Sequence, residues 1–401
     1  LNTLTKTCTK ISNFDEGKIL IEDFRYYQQQ MIEYFLKVTV DYISNKNNNY
    51  LKINRIDHEE IFNYSGLSNH EIDLFSVYIE NPKKEVKLFF RLNIPRLIYN
   101  NFYILNGHYY VPLFYIIDKP ITIKENSINL NSLFSSITIN IKDSMVIFTG
   151  TNIVLNKFIE LFLYNDNSNE ANEIRLKLNI NNITEIDLVN YFNSVFSLKT
   201  NINGIKKHIE SLFFDEYTKY LYASCYFNDD IPVDNLTDII KISLLKFFSG
   251  EIFNFIDLKN KRLCFIELLL APLFKKAANV AYQAKKGFQN DEIKIDQFAI
   301  LKNFLMSSEK KKSNNKEQQS FYGLSGKTLY DLVNLYSSIL IHKCSFVKPG
   351  MNSPPPSITD IHKTHFGKIC PITISSEKPG RVVSIIPGTY IDVYGQFLNL
   401  E

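Results

Sequence analysis

Between Ser357 and Val383 the chain reads SITDIHKTHFGKICPITISSEKPGRVV, and two of these residues restrict its folding more than any others. Gly367 admits a backbone conformation that side chains forbid, or a close approach by another backbone. Pro371 fixes φ and ends regular pairing. Ahead of them, Ile358 to His362 alternates apolar and polar residues, which predicts a short half-buried strand. Lys363 and His365 stand two apart, so in an extended chain they point the same way. Glu377-Lys378-Pro379-Gly380-Arg381 is a charged turn. Cations held on a turn beside a glycine suit a phosphate-facing loop.

A chain of 401 residues is longer than one typical domain, so two or three structural units are expected. Its 45% hydrophobic content suffices for sizeable cores. Net charge is only +3, so any basic surface must be local. The five cysteines are dispersed with no C-x-x-C pair, which fits a reducing cytosol better than a disulfide framework. The N-terminus carries no signal-peptide pattern, and Glu267 interrupts the richest apolar window. The expectation is a soluble intracellular protein without a membrane partner.

Along the chain, Asp23 is a candidate cap for a helix to about Ile43, with Tyr27, Met31, Tyr34, Phe35 and Val38 as its apolar stripe. Strands are predicted at Val86–Phe90, Phe102–Leu105 and Tyr109–Phe114. Asn106-Gly107 is the hairpin turn between the last two, because both residues tolerate positive φ. Thr184 is a candidate cap for a helix through about Leu198. Asp234 or Asn235 caps another that Gly250 ends. Between Lys259 and Gly287 seven Lys/Arg stand against one acidic residue. That run, which includes Lys261, Arg262, Lys275 and Lys276, is either a solvated helix face or a contact to phosphate or to a partner. Residues 306–320 read as a polar linker, and Ser325 to Ile341 as a helix. His362, His365 and Cys370 are spaced H-x2-H-x4-C, which fits no zinc template, so no metal ligand is assigned.

Asp360 to Ile372, DIHKTHFGKICPI, resembles a block of the β (second-largest) subunit of multisubunit DNA-directed RNA polymerases, D-V-H-x-T-H-[YF]-G-R-[VI]-C-P-I. Asp360, His362, Thr364, His365, Phe366, Gly367, Lys368, Cys370, Pro371 and Ile372 carry the likeness. Beyond Ile372 the family's E-T-P-E-G-P-N is rewritten. Ile94 to Val111 is similar to a second β-subunit block through Ile94, Pro95, Phe102, Ile104, Asn106, Gly107 and Val111. Asp257, Leu258, Asn260, Lys261 and Arg262 resemble D-H-L-x-N-[RK]-R, which opens a helix in the family and implies one here to about Lys286. Asp331, Asn334, His342 and Lys343 resemble the segment lining the RNA side of the cleft, where Cys344-Ser345 replace the family's arginines. The blocks occur in the family's order.

The resemblance implies an α+β, multi-domain fold matching the N-terminal half of a β subunit. Its parts are protrusion (1–145), a reduced lobe (146–250), a second protrusion segment (251–305), the linker, and fork with active-centre wall (321–401). The sequence ends soon after the last block, and its divergence resembles the split β chains of giant bacteriophages. The expected activity is therefore that of a nucleotidyltransferase complex transcribing DNA in the cytoplasm of an infected bacterium. This chain would supply no catalytic residue. Mg²⁺ would be held by a partner β′ chain. The other expected partners are a C-terminal β fragment, β′ fragments, a sigma-like subunit, template DNA and nascent RNA.

Residues implied to face nucleic acid or the cleft are His342, Lys343, Lys348, His365, Lys368, Glu377, Lys378 and Arg381. Asn106, Gly107, Asp257, Asn260, Asp360, His362, Gly367, Cys370 and Pro371 are implied to hold backbone. The competing reading is a non-catalytic phage or host-interaction protein that retains a decayed polymerase block.

Overall fold

The computed structural model describes residues 18–21, 23–24, 27, 31–46, 52–63, 70–81, 86–97, 103–105, 108–112, 114–180, 183–226, 235–264, 321–324, 342–345, 360–371 and 382–398. The chain is α+β, with seven α-helices and five β-sheets among the described residues. It divides into two compact units. The smaller, Asp118–Asn254, is inserted into the sequence of the larger, Leu1–Ile117 with Phe255–Glu401.

After β1 (Lys18–Leu20), helix α1 runs Ile32–Lys46. Of the apolar stripe read from the sequence, Tyr27, Met31, Phe35 and Val38 are buried and Tyr34 is half-buried. Burying a side chain such as that of Phe35 is worth about 2–3 kcal/mol. The helix runs on past the expected end at about Ile43 to Lys46.

Three long strands then form an antiparallel meander, β2 (Lys52–Asn63), β3 (His70–Asn81) and β4 (Val86–Pro95). On β3, Phe75, Val77 and Ile79 alternate into the interior, and Asp73 shares their face. A buried carboxylate needs a partner. His58 Nε2 lies 3.0 Å from Asp73 Oδ1, and the imidazole stacks on Phe75 with centroids 4.7 Å apart. Strands β5 (Tyr103–Leu105) and β6 (His108–Pro112) pair antiparallel with Leu105 opposite His108. The predicted turn residues between them, Asn106 and Gly107, lie outside the described residues. Strand β7 is Phe114–Asp118.

The inserted unit opens with a five-stranded meander, β8 (Ile121–Ile123), β9 (Ser127–Asn131), β10 (Ser136–Asn140), β11 (Met145–Phe148) and β12 (Thr151–Val154), paired in sequence order. Ile128, Leu130, Ile137, Ile139, Val146 and Phe148 alternate into its core, the period-two pattern of a sheet with one buried face. Six helices follow: α2 (Leu155–Leu163), α3 (Asn169–Lys177), α4 (Glu185–Phe196), α5 (Ile202–Phe213), α6 (Glu216–Tyr226) and α7 (Leu236–Phe248).

The predicted caps are in place. Thr184 Oγ1 accepts from Asp187 N at the start of α4, and Asn235 rather than Asp234 caps α7 through Oδ1 and Asp238 N. Gly250 follows α7 with φ +81°. Helix α2 has no basic residue in its last turn, so its carbonyls take cations from other helices. Lys206 Nζ donates to Phe162 O at 3.2 Å, and Arg175 donates to Leu163 O at 2.6 Å while gripping Glu160 with two nitrogens. The ends of the unit meet where Phe253 N donates to Ile123 O at 2.9 Å.

The chain returns to the larger unit through a 3-10 turn, Leu258–Asn260, and β13 (Lys261–Cys264). This corrects the helix expected to open at this block. Every residue of β13 is buried, Leu263 N donates to Gly395 O, and Arg262 bridges Gln396, so strand pairing takes the backbone groups a helix would use. The segment from 265 to 286 lies outside the described residues. Strand β14 (Phe321–Leu324) pairs with β6. Strand β15 (His342–Ser345) lies between β7, parallel to it, and β16 (Val382–Ile385), antiparallel. Strand β17 (Tyr390–Asp392) pairs with β1. No helix among the described residues is long and apolar enough to cross a membrane.

Candidate functional site

The block around His365 is built on a 3-10 turn, Lys363–His365, and not on the strand predicted for Ile358 to His362. Local hydrogen bonding overrides the alternation. His362 is the N-cap: its backbone N–H reaches His365 Nδ1 at 3.4 Å, and its own Nδ1 accepts from Thr364 N at 3.4 Å. This is a reciprocal capping box in which imidazoles replace the usual hydroxyl and carboxylate. Lys363 and His365 therefore do not point the same way. Lys363 is exposed, whereas His365 retains 8% of its accessible surface.

Two stretches about a hundred residues apart meet here. His365 Nε2 lies 2.8 Å from Ile256 O, and Leu258 N donates to Thr364 Oγ1 at 3.0 Å. Thr364 Oγ1 is 2.9 Å from His362 Nδ1 and, having accepted from Leu258, donates its proton there. With Nδ1 of His365 accepting and Nε2 facing a carbonyl, the neutral Nε2–H tautomer satisfies both nitrogens. Burial, opposed by the Ile256 carbonyl, pulls the His365 pKa below the ordinary imidazole value. His365, which the resemblance implies faces the cleft, is buried in this chain and held through both ring nitrogens.

Asp257 caps the turn before β13 through Lys259 N and stands 3.9 Å from His362 Nδ1. Asn260 N donates to Asp257 O at 3.0 Å. Gly367 has φ +74°, and an added Cβ would meet nothing within 4 Å, so the conformation rather than crowding calls for glycine. Ile369 bridges Ile385, Cys370 N donates to Ser384 O, and Ile386 N donates to Lys368 O. Pro371 and Asp360 are exposed. Burial lowers the Lys368 pKa, against the attraction of Asp257.

Lys261 and Arg262, read as a solvated face or as contacts to phosphate or to a partner, are 3% and 6% exposed, and the Lys261 ammonium lies 5.9 Å from the Phe255 ring centroid. Both lie on β13, every residue of which is buried. His342 and Lys343 sit on β15, opposite Ile385 and Ser384 of β16. Lys275, Lys276, Lys348, Glu377, Lys378 and Arg381 lie outside the described residues. Among the described residues no three of His, Cys, Asp or Glu gather as a metal site. Sequence reasoning missed the Ile256 carbonyl and the Thr364 hydroxyl as the partners that fix the histidines. A backbone acceptor 109 positions away leaves no pattern in a sequence.

No protein-family model and no curated protein matches the chain.

Proposed function

We propose that this chain is the N-terminal part of a β-type subunit of a multisubunit DNA-directed RNA polymerase, of the divergent split kind found in giant bacteriophages. The supporting observation is the meeting of two of the resembling blocks. Asp257–Arg262 and Asp360–Ile372 were read separately from the sequence, and Leu258 N to Thr364 Oγ1 and His365 to Ile256 O join them. Residues matched to the family pattern at both places are the ones that hold the turn: Asp257, Leu258, His362, Thr364, His365 and Gly367.

In this reading the turn is a rigid element of the wall beside the active centre. Lys368 and the exposed Lys363 offer charge to phosphate, while His365 positions the turn from inside. Mg²⁺ and its aspartates belong to a partner chain, and two-metal nucleotidyl transfer takes place there. Affinity purification of the tagged chain from infected cells, followed by mass spectrometry, tests the reading. It should bring down other large subunits, one carrying D-F-D-G-D, in a complex that makes RNA on a DNA template. Recovery of the chain with none of these would refute it.

A further inference from the structure

Among the described residues of the larger unit, the two exposed large apolar side chains flank one turn: Ile361 is 69% exposed and Phe366 77%. Leaving each in water forgoes the gain of burying it. The backbone beneath them is nevertheless fixed by the capping box, the His365 anchor and the bond to Leu258. Phe366 N donates to Lys363 O at 3.4 Å, closing a single 3-10 turn in which residues three apart stand one above the other. Lys363 is exposed. So is Lys259, which follows the Leu258 that is tied to the turn. The opposing exposed charge is Asp360. A fixed aromatic side chain with an exposed lysine one 3-10 turn before it, and a second exposed lysine whose charge is felt at Lys368, matches a base with its flanking phosphates. An apolar protein groove would use the ring and leave the lysines idle.

We propose that Phe366 is a stacking platform for one base of a single-stranded nucleic acid, with Lys363 and Lys259 holding neighbouring phosphates. The proposal deepens the polymerase reading and rests on it for the identity of the strand, nascent RNA or opened DNA.

The test is fluorescence anisotropy of the purified full chain with labelled single-stranded oligouridylate, single-stranded oligothymidylate and a duplex of equal length, over a range of salt. Phe366→Ala should weaken single-strand binding about tenfold and leave duplex binding unchanged, and Phe366→Tyr should restore it. Lys363→Gln should weaken binding and lower the salt slope by about one phosphate, whereas Asp360→Asn should strengthen it. Preference between the two single strands identifies RNA or DNA. The ring stands in solvent, so unchanged melting of the Phe366 variants serves as the folding control.

The proposal is overturned if the wild-type chain fails to bind single strands at low salt, or if Phe366→Ala binds as well as wild type. It also falls if Phe366→Ala releases partner subunits while nucleic-acid binding persists. A chain that binds through Phe366 but purifies without polymerase subunits overturns only the polymerase reading. A chain that assembles but is insensitive at Phe366 overturns only this one.

Discussion

His365 shows how one side chain changes meaning between sequence and structure. In the sequence it is a cation candidate beside a glycine. In the fold it is a buried hydrogen-bond hub. His365→Leu removes the acceptor for His362 N and the partner of Ile256 O, and should cost about 2–3 kcal/mol in denaturant unfolding. Its folded pKa lies below the unfolded value, so the neutral form is the one that stabilises. That contribution is complete above the unfolded value near 6.5 and is lost as pH falls below it toward the folded pKa. His365→Gln should flatten the fall in stability between about pH 7 and 5. Some slope will remain, because burial lowers the His208 pKa as well. An identical slope in the variant would remove His365 from the account.

Asp166 carries the opposite sign. Hydrogen bonds from Lys241 and Ser168 hold the carboxyl at about 2, below its ordinary value of 3.8. The stabilisation is complete above the unfolded value and lost as pH drops through the folded one. Partial exposure discounts it, so Asp166→Asn should cost about 1–2 kcal/mol near neutrality, with the difference from wild type vanishing in strong acid.

At the scale of elements, the helices of the inserted unit begin where local chemistry starts them. Asn235→Ala and Thr184→Ala each remove an acceptor from a first-turn N–H, and each should lower stability by about 1 kcal/mol in thermal or denaturant melts. Strand β13 behaves differently. Its sequence, KRLC, reads equally well as the opening of a helix. Gly395 decides for the strand: its φ is +83°, and a Cβ there would collide with Leu263 O. Gly395→Ala should therefore destabilise the β13 contact by more than about 2 kcal/mol, seen as a lower melting temperature. A neutral outcome would show that the backbone can part without cost.

For the molecule as a whole, the insertion is the main feature. The chain leaves the larger unit after Ile117 and re-enters it at Phe255. Within the inserted unit, Tyr226 OH accepts from Ile121 N and Tyr222 OH donates to Asn131 O, so helix α6 pins the first two strands. With its ends joined at Ile123 and Phe253 and its own core, residues 118–254 expressed alone should unfold in one cooperative transition. A fragment without fixed tertiary structure would show that the insertion depends on the rest of the chain.

Much of this was legible in advance because it is local. Caps at Thr184 and Asn235, most of the stripe from Tyr27 to Val38, and the hairpin that sets Leu105 opposite His108 all follow from residues within a few positions of one another. Strands β2 and β3 went unread, and so did the meander from β9 to β12, although Ile128, Leu130, Ile137 and Ile139 carry its alternation.

What the sequence alone determined is the short-range part: which residues cap, turn and alternate. Tertiary structure alone decided that Lys261 and Arg262 are buried, that His365 is a neutral anchor, and that Phe366 stays in water. Those outcomes depend on the backbones of Ile256, Leu263 and Gly395. Burial and hydrogen-bond supply at a residue are set by whatever the fold brings beside it, and a carbonyl is identical in every residue, so no sequence pattern marks it in advance.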